Sequence, residues 1–180
     1  MPEAGLEGFK PPQDYMKLDL KSTKLSDIHL QVKIGGDAAL IKGLIKVHIE
    51  NGGLDSEFIK SHTTGFDSMV EMAKKTSWER IVNDSGIERE LIERVGKICA
   101  SSNATIACWA MGLTQHRNGV SVIQEVVNLL LIGGHVGKKG AGFCPVRGHS
   151  NVQGDRTVGI WEAPSDAFLD KMEMGLKVSL

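Results

Sequence analysis

Cysteine is scarce in this sequence. Three occur in 180 residues, Cys99, Cys108 and Cys144, and no two stand in Cys-x-x-Cys spacing. Neither a disulfide framework nor a zinc or iron–sulfur motif is therefore written into it. An excess of charge of one sign is also missing. The formal net charge is −1, which excludes the basic balance of a general nucleic-acid binder. No run of about 18 apolar residues is present, so no membrane span is expected. Met1-Pro2-Glu3-Ala4-Gly5 is not the basic-then-apolar opening of a secretory signal, and a reduced, cytoplasmic setting is expected. The common phosphate signatures are absent too. A P-loop needs glycine five residues before the Gly137 of Gly137-Lys138, then Ser or Thr after the lysine; Ile132 and Lys139 stand there instead. No Gly-x-Gly-x-x-Gly follows either strand proposed below, which weakens an NAD or P-loop ATPase reading.

What is present points to a packed domain. Apolar residues make up 41% and charged residues 24%, enough to bury a core. Residues 1–24, with Pro2, Gly5, Gly8, Pro11 and Pro12, read as an irregular lead-in. Ser26 to Ile34 alternates Ile28, Leu30, Val32 and Ile34 with polar neighbours, the period of a half-buried strand. Gly35-Gly36-Asp37 ends it, and Asp37 is the expected N-cap of a helix carrying Ile41, Leu44, Ile45, His48 and Ile49 until Gly52-Gly53. His48 sits on the apolar face and reads as a satisfied core histidine. Short helices are expected over Asp55–Lys60, Asp67–Lys75 and Ser77–Asn83, and a longer amphipathic one over Ile87–Ser101. Ala104–Trp109 fits a buried parallel strand, Met111–Gln115 a turn, Gly119–Ile132 an apolar helix and Ser165–Met174 a last one. Alternating strands and helices make this an α/β fold: a mostly parallel sheet covered by helices.

Between Gly133 and Gly159 the periodicity stops. Glycine is about 12% of the chain (21 of 180) against a typical ~7%, and the excess is concentrated in this stretch. Lys138, Lys139, Arg147 and Arg156 against Asp155 give it a formal charge of +3. A long, basic, Gly-rich loop with amide side chains (Asn151, Gln153) suits a phosphate or diphosphate ligand approached by backbone. A solvated loop with turn glycines is the alternative reading. Turns at the C-terminal ends of parallel strands share one sheet edge. That places Gly35-Gly36-Asp37, the Trp109–Gln115 turn and this loop around one site.

The run WAMGLTQHRNGVSVIQEVVNLLLIGGHVGKKGAGFCPVRGHSNVQGD resembles the molybdopterin-dependent oxidoreductases, in particular formate dehydrogenase alpha subunits. The likeness rests on Met-Gly-x-Thr-Gln, on Gly-x-x-Gly-x-x-Gly-Ala-Gly after an apolar helix, and on Pro-Val-Arg-Gly-x-x-Asn-Val-Gln-Gly. The upstream GGDAALIKGL and SHTTGF look like the family as well, and the likeness runs over roughly Leu25–Trp161. It is nearest to a subgroup with His after Arg-Gly, where formate dehydrogenases usually carry Gln.

The resemblance implies a Rossmann-like domain over 25–161 that binds molybdopterin guanine dinucleotide, with a C-terminal helix or tail over 162–180. By that likeness Gly35, Gly36 and Asp37 face the guanosine end, and Asp37 has its N-cap role as an alternative. Met111, Gly112 and Gln115 match a cofactor-binding turn, and Asn151, Gln153 and Gly154 match cofactor-lining positions. Arg147 matches an arginine beside substrate and metal, able to hold a carboxylate bidentately. His149 departs from the formate dehydrogenase pattern and can titrate near neutrality, which puts formate itself in doubt. No metal ligand is assigned: Cys144 is expected to be a small buried residue. The family's iron–sulfur cysteines and second-pterin domain have no counterpart here. The expectation is a fragment of a subunit, carrying molybdenum or tungsten in the parent enzyme and oxidising formate or a similar small substrate by two electrons. Its partners are then the remaining domains and that substrate, with neither nucleic acid nor membrane, and the chain alone is expected not to turn over. A non-catalytic nucleotide-binding module or a structural remnant is the alternative.

Overall fold

The computed structural model describes residues 26–177 together with two short strands, β1 (Gly8–Phe9) and β2 (Thr23–Lys24), which pair antiparallel. Most of the lead-in expected over 1–24 lies outside the described residues. The rest is a helix-rich α/β arrangement with a small parallel sheet. Two compact units divide the chain, 1–144 and 145–180.

In the first unit, α1 (Asp37–Glu50) is the central element, packed by α3 (Phe66–Lys75), α4 (Trp78–Ser85), α5 (Arg89–Ser101) and α7 (Gly119–Ile132). Its sequence explains this. Ile41, Leu44, Ile45, Val47 and His48 are all buried, so α1 has apolar contacts on more than one face. One cluster joins Ile41 and Ile45 to Ile59 of α2 (Ser56–His62) and to Val122, Val126 and Leu130 of α7. A second joins Leu44 to Ile81, Ile87 and Ile92. α1 and α5 approach closely: a Cβ added at Gly96 would stand 2.6 Å from Val47. Lys46 donates from Nζ to the carbonyls of Ala73 and Thr76, each at 3.0 Å, and so closes the C-terminus of α3 with a cation.

The sheet is smaller than the alternation of elements suggests. β3 (Ile106–Trp109) pairs with β4 (Gly142–Pro145), and between them run α6 (Met111–Thr114) and α7. Trp109 meets Phe143 edge to face, ring centroids 6.2 Å apart, while Ala107 and Trp109 pack on the first core cluster. The strand expected at Ser26–Ile34 does not form. That segment bends, attaches to the α4–α5 connection through Lys33 N–H to Ser85 C=O (2.8 Å), and leaves Ile34 97% exposed. Among the described residues its apolar alternation has no neighbouring strand to supply a ladder, and Leu30 is the residue of this segment that packs on the second core cluster.

Gly119–Ile132 is helical over the expected residues. The stretch 133–159 is not structureless, since it contains β4 and α8 (Val152–Thr157). In the second unit α8 is followed by α9 (Asp166–Leu176). There Arg156 lies over the Trp161 ring at 4.0 Å and pairs with Glu162 at 2.7 Å.

Candidate functional site

The residues at the start of α1 build a cleft. Gly35 has φ +79°, a conformation that favours glycine, and its Cα faces open space. Gly36 is glycine for a different reason: a Cβ there would sit 2.6 Å from the Asp84 carbonyl oxygen. Gly36, not Asp37, is the N-cap, and no side chain caps the helix. The expected Asp37 cap is thus corrected. Asp37 is the first helical residue, half-buried, where its carboxylate complements the helix dipole. The cleft measures about 380 Å³ and is lined by Gly35, Ala38, Lys42, Thr76, Arg80 and Asn118 among others. Lys42 lies 3.7 Å from Glu125, and Arg80 donates to Asp84 at 3.4 Å. Two cations therefore border an uncapped helix N-terminus, an arrangement suited to an anion.

Asn118 brings the second turn to this cleft. It is the N-cap of α7 and closes the bend that begins at α6. Within that bend Met111 is 44% exposed, Gly112 faces open space, and Gln115 is exposed as the C-cap of α6. Of the sequence-derived residues, Gly35 lines the cleft and Asp37 follows it at the start of α1, while Met111, Gly112 and Gln115 stand on the turn that precedes Asn118 and are not among the lining residues.

The remaining candidates occupy the second unit. Arg147, His149, Asn151 and Gln153 are exposed there, and the Arg147 guanidinium donates to Gln153 Oε1 at 3.5 Å. Asn151 adopts φ 55° and turns its amide against Gly154, where any side chain would collide with it. Two local contacts thus tie Arg147 to Gln153 and Asn151 to Gly154.

Sequence reasoning missed Lys42, Thr76, Arg80 and Asn118. A signal existed for one of them: Lys42 follows Ala38 by four residues, on the same helix face as the turn. Arg80 comes from another helix, and no local spacing marks it. Two other expectations change. Cys144 is exposed, not buried, because β4 is bare on the face that carries it. His48 is 1% exposed as expected, yet neither ring nitrogen has a hydrogen-bond partner. Burial pushes its pKa down, and the nearby Gly53 backbone offsets part of this without forming a well-aligned hydrogen bond. Among the described residues no group of three or more His, Cys, Asp or Glu is placed to hold a metal ion. Nor is any described helix long and apolar enough to cross a membrane.

No family model matches the chain. Protein YdeP of Escherichia coli K12 is 44% identical over 181 residues, covering 94% of this chain and 24% of that protein. The F420-dependent formate dehydrogenase subunit alpha of Methanocaldococcus jannaschii is 39% identical over 133 residues, 74% of this chain and 20% of that one. Among solved structures, acetylene hydratase from Pelobacter acetylenicus superposes with a TM-score of 0.59 at 27% identity, over 64% of this chain and 16% of its own. The chain is molybdopterin oxidoreductase-like. It spans about a quarter of the length of the curated relatives it matches. In this segment the Met111–Gln115 run lies on α6 and its C-cap, and the Arg147–Gly154 run leads into α8.

Proposed function

We infer that this chain is a Rossmann-like, cofactor-holding domain over 25–161 of a longer molybdopterin oxidoreductase subunit. The observation that carries the reading is the cleft shared by Gly35 and Asn118, which joins the two turns at an uncapped helix end beside Lys42 and Arg80. These residues fit the anionic end of molybdopterin guanine dinucleotide. The Asp37 and Ala38 N–H groups and the two cations hold the diphosphate, while the Asp37 carboxylate accepts from guanine N–H groups. Met111, Gly112 and Gln115 extend the binding surface from the second turn, and Asn151, Gln153 and Gly154 supply amide and backbone contacts toward the pterin.

When bound, the group supplies a molybdenum or tungsten centre that accepts two electrons from a small substrate in the parent enzyme. This chain's residues bind and orient. Arg147 holds the carboxylate of formate or an analogue through its planar guanidinium fork. His149 stands where formate dehydrogenases carry an amide, and its imidazole offers the substrate a ring-nitrogen hydrogen-bonding group. The remaining domains of the subunit, a small-molecule substrate and a cytoplasmic setting complete the proposal, with neither nucleic acid nor membrane as a partner.

A second reading, a guanine-nucleotide module without redox chemistry, is favoured by the cleft being lined wholly by residues of the first unit. Calorimetric titration of the chain with extracted pterin dinucleotide and with GDP separates the two. Tight binding of the dinucleotide and weak binding of GDP, both reduced in Asp37→Ala, support the cofactor domain. Equal affinity for both ligands favours the nucleotide module, and no binding of either overturns both readings.

A further inference from the structure

Two of the three cysteines lie on neighbouring strands. The Gly142 N–H donates to the Thr105 carbonyl at 3.0 Å. In a parallel ladder this sets Gly142 beside Ile106 and, two residues further along each strand, Cys144 beside Cys108. Side chains alternate between faces along a strand. Trp109 and Phe143 meet on the core side, so Cys108 and Cys144 share the opposite face, where both are exposed. Paired strands run about 4.8 Å apart, within the range of Cα separations that a disulfide spans. Cys99 lies elsewhere, half-buried on α5.

We propose that Cys108 and Cys144 form a redox-active dithiol on the β3–β4 sheet, which low-molecular-weight disulfides such as oxidised glutathione convert to a reversible cross-strand disulfide. The Cys108 thiolate attacks one sulfur of the small disulfide, breaking its S–S bond, releasing one thiol and leaving a mixed disulfide. The Cys144 thiolate then attacks the Cys108 sulfur and expels the second small thiol. The two protein sulfurs lose two electrons, the small disulfide gains them, and the two protein protons leave on the released thiols. An exposed disulfide of this kind belongs to the labile class that thiols reopen. Its position has a consequence: β3 ends two residues before Met111 and β4 two residues before Arg147, so oxidation cross-links the strands that precede both segments.

The ionisation of the thiols sets the pH dependence of the exchange. Desolvation first, then the hydrogen bond to the Cys144 sulfur and repulsion from it, raise the Cys108 pKa. Thiolate is the attacking species, so the exchange speeds up from pH 7 to pH 9. Burial raises the pKa of Cys99 as well, and that thiol is half-buried on α5, away from the pair.

The test uses the whole 180-residue chain, reduced and then incubated with oxidised glutathione at pH 8, alkylated and mapped by mass spectrometry. The expected product has lost two hydrogens, keeps a single alkylatable cysteine at Cys99, yields a cross-linked peptide containing Cys108 and Cys144, and reverts with dithiothreitol. In Cys144→Ser, Cys108 stops at the glutathione mixed disulfide. In concentrated urea the selectivity for this pair disappears. Three alkylated cysteines, a cross-link that includes Cys99, or the same yield of the pair in urea overturns the proposal.

Discussion

His48 and His135 meet edge to face in the interior, ring centroids 6.4 Å apart. Both are almost fully buried, and three of their four ring nitrogens lack a partner. Desolvation lowers the His48 pKa. Desolvation, followed by Lys138 and His48 itself, lowers that of His135 against a smaller opposing pull from Asp55. Each ring is thus held neutral in the fold and takes a proton more easily when unfolded. The stability this contributes is fully present above the unfolded pKa of about 6.5 and is lost as pH falls from there toward the lowered folded values. Urea unfolding midpoints at pH 7.5 and 5.5 check this. The midpoint drops at pH 5.5 in the wild type and drops less in His48→Phe.

The α1–α5 contact sets much of the first unit's stability. Ile92 is fully buried against Leu44, Ile81 and Ile87. Ile92→Ala costs about 2–5 kcal/mol, the transfer and cavity contributions together. Gly36→Ala is also destabilising, because the new methyl meets the Asp84 carbonyl. Gly35→Ala puts its methyl into open space and costs only the left-handed backbone conformation, about 1 kcal/mol. Thermal melts of the three variants give that order.

Arg80 lines the cleft, and among the described residues its guanidinium makes an exposed pair with Asp84. Its loss therefore changes stability by about 1 kcal/mol or less. A charge-assisted contact with a diphosphate is worth more. Arg80→Ala weakens GDP binding roughly tenfold, about 1.4 kcal/mol, with little change in melting temperature. An unchanged affinity at low salt removes Arg80 from the site.

Helices were the most legible part of the fold. Gly119–Ile132 has an apolar face broad enough to announce both its type and its limits, and the observed α7 has those bounds. The Ala104–Trp109 run likewise gives β3 within two residues at its start. The alternation of Ser26–Ile34 misleads because a strand is a relation between segments, and among the described residues this one makes a backbone hydrogen bond to Ser85 and no strand ladder. Gly-rich composition hid β4, whose pairing is fixed by the distant Thr105 carbonyl. At the site, Gly35 was readable from its turn, whereas Arg80 arrives from another helix and Asn118 from beyond the 111–115 motif. The Arg147–Gly154 group is singled out by motif likeness alone, while its local geometry depends on the left-handed Asn151, which no spacing announces.

Hydrogen–deuterium exchange of the chain with and without GDP tests most directly whether the two turns hold one ligand. The account predicts slowed exchange in two places together, the Gly35–Ala39 amides at the start of α1 and the Gln115–Gly119 amides around Asn118, lost in Lys42→Glu. Protection confined to one turn, or none at saturating ligand, contradicts it.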